Sequence, residues 1–358
     1  MREPHSNHRK QNQTAQLLPP RRLLVRRRPH WRGLALTTLI SVGAALTLWQ
    51  LWISSREPPA SWRDSRSEPP RIALCFFGLT RSLRWTMPSV KARVLDVLLN
   101  DGFQVDVFVH TYHLREVNNE RAGEERIKYA TYEADHLALN ATRSLVTDQD
   151  DFDLAWPNPH SMTHYNWNYP PALIPGVIKN VFRAYWSMEI VWGLMAQYAS
   201  EEGFEYDVVM LLRPDVWFHV DVDLPTRGFP LPGGTVFLPS FDIKPGTERQ
   251  NDRFAYGSVD AMRVVMHRIA ALIAPNIDDG AGEVDSEWVF GHHLVLHNVT
   301  AVKIEFPFSR IRLNGVIPKG DFRNVRQACK SRKDPISCDM LRLGFRFPCI
   351  DDGGDTTA

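Results

Sequence analysis

Residues 206–215, Tyr-Asp-Val-Val-Met-Leu-Leu-Arg-Pro-Asp, decide the fold of this chain. The apolar run from Val208 to Leu212 is short and continuous, which is typical of a strand buried on both faces of a parallel sheet. We therefore predict a strand over residues 206–212. Pro214 cannot donate a hydrogen bond to a strand ladder, so the strand should end there and the chain should turn.

The sequence on both sides of this strand alternates between strand and helix patterns. Ile72 to Phe77 and Val105 to Val109 are short apolar runs, and the segment between them has helical spacing. From Ile178 to Ala199, apolar residues recur at three- and four-residue steps, which predicts a helix facing the core. Further strands are predicted at 235–238 and 302–306, and helices at 87–99, 259–273 and 286–297. This alternation predicts an α/β fold with a mixed, mostly parallel sheet flanked by helices.

Three of the predicted strands are followed by polar residues. They are Gly78 to Arg81, His110 to His113, and Arg213 to Asp215. Ligands in open α/β sheets bind at the carboxyl ends of strands, so these three ends are the candidate ligand site. Arginine and closely approaching backbone N–H groups suit a diphosphate, although Gly78 to Arg81 equally fits a tight turn with a surface arginine.

Asp215 is the candidate metal ligand. A carboxylate that projects from the end of a buried strand can bind Mn²⁺ or Mg²⁺, and the metal can act as a Lewis acid on a departing nucleotide. Asp221 and Asp223 form a literal Asp-x-Asp a few residues later, but their alternation also fits an edge strand with solvated carboxylates. We favour Asp215, because it directly follows the strand.

Two later carboxylates are candidates for acid–base chemistry. Asp252 lies in the segment from Asn251 to Gly257, which we predict to be a loop that binds and stacks on a sugar, or else an Asx turn before the next helix. Glu287 follows Asp285 at the predicted start of a helix, where it could serve as general base or simply complement the helix dipole.

The N-terminal residues predict a membrane anchor. Residues 1–32 contain many arginines and Glu3 as their single acid, and residues 33–53 carry no charge. At ~1.5 Å rise per residue, a helix over 33–53 would span roughly 30 Å of hydrocarbon. The positive-inside rule then places residues 1–32 in the cytosol, and the proline-rich residues 54–70 form a stem that carries a luminal domain at 71–358. A cleaved signal peptide fits this long basic leader poorly.

Composition and cysteine usage agree with a globular domain in an oxidising compartment. The chain has 358 residues, of which 44% are hydrophobic and 23% are charged. Cys329, Cys338 and Cys349 lie near the C-terminus, and Cys329–Cys338 is the preferred disulfide, although spacing does not fix the pairing. Asn140 and Asn298 begin N-glycosylation sequons, which have meaning only in the secretory pathway.

Several motifs in this order resemble one enzyme family. The segments FFGLTRS, DVFVHTY, YDVVMLLRPDVWF, NDRFAYGS and SEWVFGHHL look like nucleotide-sugar-dependent glycosyltransferases of the GT-A type, over residues 71–312. A type II anchor with a proline-rich stem is also the layout of Golgi glycosyltransferases. The resemblance implies transfer of a hexosyl or pentosyl group from a nucleotide sugar to a hydroxyl of a glycan or glycoprotein.

The resemblance also implies roles for particular residues. Gly78 and Arg81 would lie at the nucleotide, and Arg213 beside the donor. His110, at the second polar strand end, is a further candidate for binding the nucleotide. Asp215 would bind Mn²⁺ (or Mg²⁺). The catalytic carboxylates near the acceptor would be Glu287 and Asp252. The first position of the usual Asp-x-Asp is Arg213 here, so a metal-independent form, in which arginines hold the diphosphate, stays open.

Two other functions fit parts of the pattern. A Golgi sulfotransferase shares the anchor and the α/β layout, but it needs a phosphosulfate-binding loop after the first strand. A membrane-tethered carbohydrate-binding protein would bind no nucleotide. No nucleic-acid partner is expected, because the membrane span already accounts for the N-terminal arginines.

Overall fold

The computed structural model describes residues 69–119, 124–128, 133–156, 166–167, 169–224, 230–241, 248–273, 284–318 and 320–321. The predicted tail and anchor, all of the predicted stem except residues 69–70, and Cys329, Cys338 and Cys349 lie outside these ranges. Within them, no helix is both long enough and apolar enough to cross a bilayer.

Eleven strands are present in these ranges, in the chain order β1 (Arg71–Phe77), β2 (Gln104–His113), β3 (Glu116–Asn119), β4 (Glu124–Lys128), β5 (Arg143–Asp148), β6 (Val208–Leu212), β7 (Val216–Phe218), β8 (Thr235–Pro239), β9 (Phe254–Gly257), β10 (Thr300–Ile304) and β11 (Phe308–Arg310). Seven of them form the central sheet in the order β10-β8-β9-β6-β1-β2-β5. All neighbours are parallel except β9, which runs antiparallel to both β6 and β8. The sheet is therefore mixed and mostly parallel, as the sequence predicts.

Helices cover both faces of the sheet. They are α1 (Leu83–Val90), a π-helical turn (Lys91–Leu95), α2 (Asp96–Asn100), α3 (Gln149–Ala155), α4 (Ile174–Glu202), α5 (Val259–Met266), α6 (Ala270–Ile273) and α7 (Ser286–Leu296), with 3₁₀ turns at Glu133–Leu139 and Pro171–Leu173. Because both faces are covered, β1 is apolar from Ile72 to Phe77. Ala73 and Cys75 belong to the core on the α4 side, and Leu74 and Phe76 to the core on the α1 side. Cys75 is a buried free thiol.

Helix α4 confirms the prediction from apolar spacing. The residues buried at three- and four-residue steps are Ile178, Val181, Tyr185, Met188 and Trp192, and the helix packs on β1 and β2. Gly203 ends it in the left-handed conformation with φ 76°, which glycine adopts without steric cost.

Three predictions need correction. The predicted loop at residues 251–257 is a strand over its last four residues, and the aromatic rings of Phe254 and Tyr256 are buried, so these rings are unavailable to stack on a sugar. The helix predicted over 259–273 is two helices, interrupted around Arg268. The second strand does not end at His110 but continues to His113, because residues 110–113 pair with β5.

Candidate functional site

The loop after β1 lies beside the end of β6. The parallel register pairs Phe76 with Leu212, so Gly78 and the turn at residues 213–215 leave the sheet at the same edge. Gly78 has φ +88°, a conformation that disfavours any side chain, although a Cβ there would meet no atom within 4 Å. Its amide donates a 2.8 Å hydrogen bond to Ser187 Oγ, so this N–H is already used within the protein.

Asp215 is buried at this edge and is bound by Arg213. Arg213 Nε donates to Asp215 Oδ1 at 2.9 Å, and Arg213 Nη2 donates to Oδ2 at 2.7 Å. This is the bidentate fork that arginine makes with carboxylates. The backbone of Asp215 is held as well, because its carbonyl accepts a 2.7 Å hydrogen bond from the amide of Ile311.

Two further arginines act on Asp215. Burial by itself would raise the pKa of this carboxyl, but the charges of Arg213, Arg312 and Arg81 outweigh it and lower the pKa to about 2. Asp215 is therefore ionised throughout the physiological range. We call Arg81, Arg213 and Arg312 the arginine cluster.

Arg81 is positioned by a residue that the sequence analysis missed. Arg81 Nη2 lies 3.1 Å from Glu124 Oε2, and the Glu124 side chain is fully buried. Glu124 Oε1 accepts a 2.8 Å hydrogen bond from the amide of Leu313, so β4 and the chain after β11 meet at this point. Glu124 lies in a polar segment far from the other site residues in sequence, and no local motif indicates its role.

Arg312 was also missed, and its side chain has no hydrogen bond or ion pair among the residues that the structure describes. Burial, and then the nearby charge of Arg310, lower the pKa of Arg312 to about 10, although Asp215 acts in the opposite direction. Arg310 itself is neutralised by Asp321 through hydrogen bonds of 2.8 and 2.6 Å. Within the described residues, Arg312 is therefore the member of the cluster that no acid binds directly.

These residues do not fit a divalent cation. Both oxygens of Asp215 accept hydrogen bonds from Arg213, and the nearest charges are guanidinium groups, which would repel a metal ion. In the described part of the chain, no group of three His, Cys, Asp or Glu side chains is arranged to hold a metal. Of the alternative Asp-x-Asp, Asp221 is exposed and forms a 2.7 Å ion pair with Arg93.

Glu287 lies in the first turn of α7. Its Oε1 accepts a 3.0 Å hydrogen bond from Arg253 Nη2, and its Oε2 accepts one of 2.9 Å from Ser286 Oγ. Burial, and then the charge of Asp252, raise the pKa of Glu287 above its ordinary value, against the opposing effect of Arg253. Helix α7 itself is capped by Asp285, whose carboxylate accepts a hydrogen bond from the Trp288 amide.

The pKa of Asp252 shifts in the opposite direction. Burial would raise its pKa, but Arg253, Arg268 and Arg213 together lower it below its usual value. The environment thus moves the pKa values of the two acids apart: Asp252 is ionised, whereas Glu287 keeps its proton to a higher pH. Pairs of acids separated in this way are typical of acid–base sites.

Arg268 is a buried arginine on which the charges of both acids act. It is fully buried, its guanidinium carbon is 4.6 Å from the Tyr185 ring centre and 4.2 Å from that of Phe290, and burial lowers its pKa. None of its guanidinium nitrogens makes a hydrogen bond within the described ranges. The charges of Asp252 and Glu287 act on it, so it is held by two aromatic faces and two acids at longer range.

Arg213 connects the two halves of the site. Burial would lower its pKa, but Asp215 and Asp252 together raise it, so it experiences one acid from each half. The strand register gives the placement: Phe76 pairs with Leu212 and Leu212 with Phe254, and Arg253 binds Glu287. The structure thus brings together, at one edge of the sheet, Arg81, Arg213, Asp215, Asp252 and Glu287.

His110 is placed differently. It is fully buried inside β2, with Nδ1 2.7 Å from Ser187 Oγ and Nε2 2.9 Å from Thr147 Oγ1. Burial lowers its pKa to about 3, so the ring is neutral. Since Ser187 also binds the Gly78 amide, His110 can affect a ligand at this edge only through other residues.

Comparison with known proteins adds little to this geometry. Neither a protein-family model nor a curated protein sequence matches the chain significantly. Among solved structures, mouse xyloside xylosyltransferase 1 in its apo form aligns with 66% of this chain and 85% of its own, at 12% identity and a TM-score of 0.33. A TM-score this low does not establish a common fold.

Proposed function

We propose that this chain is a nucleotide-sugar-dependent glycosyltransferase of the secretory pathway, which transfers a sugar to a hydroxyl of a glycan or glycoprotein. One arrangement carries the proposal: Arg213 binds Asp215 after β6, and the pairing of Leu212 with Phe254 places Asp252 beside the same strand end. A cationic cluster suited to a diphosphate therefore adjoins two acids, Asp252 and Glu287, whose pKa values shift in opposite directions. The sequence resemblance to GT-A enzymes supports the same function. The location at the carboxyl ends of β1 and β6 agrees with ligand binding in open α/β sheets.

The proposed reaction divides the site into a donor half and an acceptor half. The nucleotide diphosphate lies against the arginine cluster, and the acceptor hydroxyl lies near Glu287. Glu287 in its ionised form takes the hydroxyl proton while the acceptor oxygen bonds to the anomeric carbon and the bond from that carbon to the diphosphate oxygen breaks. The arginines stabilise the negative charge that the leaving diphosphate acquires. Asp252 orients the acceptor and keeps the pKa of Glu287 raised.

The test is a transfer assay on the full-length protein with a panel of UDP- and GDP-sugars. We expect Glu287→Gln to lower turnover by a factor of about 10²–10⁴, as loss of a general base does. Thermal stabilisation by UDP or GDP should remain, because the donor half is intact. Asp101→Asn is the matched control, because Asp101 is exposed at the end of α2 and has no place in the site.

Three outcomes would contradict the proposal. Full transfer by the Glu287→Gln variant would exclude Glu287 as the base. Binding of adenosine bisphosphate in place of UDP or GDP would favour the sulfotransferase. Absence of any nucleotide binding would favour the carbohydrate-binding protein.

We also propose that the protein is a type II membrane protein of the Golgi or endoplasmic reticulum with this domain in the lumen. Asn140 and Asn298 support luminal placement, because both are exposed and both turn the chain with positive φ, at 45° and 54°. We expect glycosidase treatment of the protein from secretory cells to increase its gel mobility. The shift should be lost when both asparagines are replaced by glutamine. An unglycosylated wild-type protein that is soluble without detergent would contradict this placement.

A further inference from the structure

We propose that the chain binds the diphosphate of its donor through the arginine cluster without a divalent cation, and that Asp215 is the anion that assembles the arginines. This inference rests on the proposed function and deepens it. It departs from the metal role that the resemblance implies for Asp215.

The hydrogen bonds of Asp215 are the first reason. Its two oxygens accept from Nε and Nη2 of Arg213, so a metal ion would have to displace or crowd this fork. Displacement would leave the Arg213 guanidinium beside the cation, with Arg312 and Arg81 also acting on the same carboxylate. Like charges around one carboxylate repel each other, so the cluster favours an anion over a cation.

The free donors of the cluster are the second reason. Arg213 uses Nε and Nη2 for Asp215 and makes no hydrogen bond through Nη1 within the described residues. Arg312 has a half-buried guanidinium without a hydrogen bond or ion pair in the same part of the chain. Planar guanidinium groups with unsatisfied donors match phosphate oxygens.

The Gly78 amide in the neighbouring loop is already used within the protein. The Gly78 amide, which glycine-rich phosphate loops would direct at the ligand, already donates to Ser187 Oγ at 2.8 Å. The diphosphate should therefore bind the arginine side chains and not the Gly78 amide. Arg81 is held in place for this by Glu124, at 3.1 Å. Arg81 and Arg213 are thus fixed by buried acids before the ligand arrives, which limits the entropy lost on binding.

The test measures binding of UDP, GDP and inorganic pyrophosphate to the full-length protein by calorimetry, in EDTA and in Mn²⁺. We expect the same dissociation constants in both buffers. Arg312→Gln should weaken binding about 10- to 100-fold in either buffer, the loss expected for a hydrogen bond to a charged group. Arg84→Gln is the matched control, because Arg84 is an exposed arginine of the same region that pairs with Asp135 and should leave binding unchanged.

The outcomes separate the two proposals. Binding in Mn²⁺ that EDTA abolishes, with transfer activity intact, would overturn the metal-free site and leave the glycosyltransferase proposal standing. Unchanged affinity in Arg312→Gln would also overturn it. If none of the three probes binds in either buffer, the glycosyltransferase proposal fails, and this inference fails with it. Arg312→Gln is preferred to Arg213→Gln, since removing Arg213 would leave the buried Asp215 without its partner and could prevent folding.

Discussion

Replacement of Asp215 by asparagine tests whether its ion pair stabilises the fold. The pKa of Asp215 falls from 3.8 to about 2. Each pKa unit corresponds to about 1.4 kcal/mol, so the folded protein holds the ionised form about 2 kcal/mol better than the unfolded chain does. Losing one partner of a buried pair costs ~3–5 kcal/mol. Arg213 retains 28% exposure of its side chain and can regain water, so the lower part of that range applies. We expect Asp215→Asn to lose about 3 kcal/mol at pH 7.

Urea denaturation of the purified full-length chain measures this loss, and pH gives it a signature. Because the folded pKa lies below the unfolded one, the contribution of Asp215 is fully present above about pH 4 and is lost as pH falls through about 2. The difference in free energy of unfolding between wild type and Asp215→Asn should therefore shrink as pH falls from about 4 to about 2. Asp221→Asn is the control: its 2.7 Å pair with Arg93 is exposed, so its loss should stay within about 0.5 kcal/mol. Equal stability of wild type and Asp215→Asn at pH 7 would refute this explanation.

Three further predictions concern the acid pair, the buried histidine and the sheet. Asp252→Asn should shift the acid limb of kcat/KM to lower pH, because the charge of Asp252 raises the pKa of Glu287; an unmoved limb in the pH–rate profile would contradict the coupling. The pKa of His110 is about 3 in the folded protein and 6.5 in the unfolded chain, so the free energy of unfolding falls as pH falls. Between pH 7 and 5 the wild type should lose about 2 kcal/mol that His110→Gln does not lose. Equal losses in the two proteins, measured by denaturation at both pH values, would exclude this effect. Gly257→Ala should lower stability by about 1–3 kcal/mol, because its Cβ would lie 2.4 Å from a backbone oxygen of β8. The control Gly176→Ala should keep the wild-type Tm, because its Cβ would meet no atom within 4 Å. Equal Tm values for both variants would contradict the steric argument.

The sequence by itself determined the elements that are buried on both faces. The apolar runs of β1 and β6 and the helical spacing of α4 appear in the structure within a few residues of their predicted limits. These elements could be predicted because burial determines how apolar residues are spaced along the chain. They recur every two residues in a strand with one covered face and about every 3.6 residues in a helix. In a strand covered on both faces they form a continuous run. The turn after β6 also follows from local chemistry, since Pro214 cannot continue a ladder.

The sequence also identified five residues that the structure gathers at one edge of the sheet. Arg81, Arg213 and Asp215 follow β1 and β6, and the parallel pairing of these strands brings their ends together. Asp252 joins them because the antiparallel strand β9 begins two residues after it and pairs Phe254 with Leu212 at the end of β6. Glu287 joins them through its 3.0 Å hydrogen bond from Arg253. Their catalytic and binding roles stay predictions.

Only the tertiary structure decided the rest. Strand β9 was missed because a four-residue strand is too short to show a period, and its place between β6 and β8 depends on long-range pairing. His110 is interior because β5 pairs with the end of β2. Glu124 and Arg312 come from distant segments that meet only when β4 and the chain after β11 pack together. Local patterns report how much of a residue is buried, whereas the partners of a charge depend on contacts between segments far apart in the chain, and those contacts exist only in the folded protein.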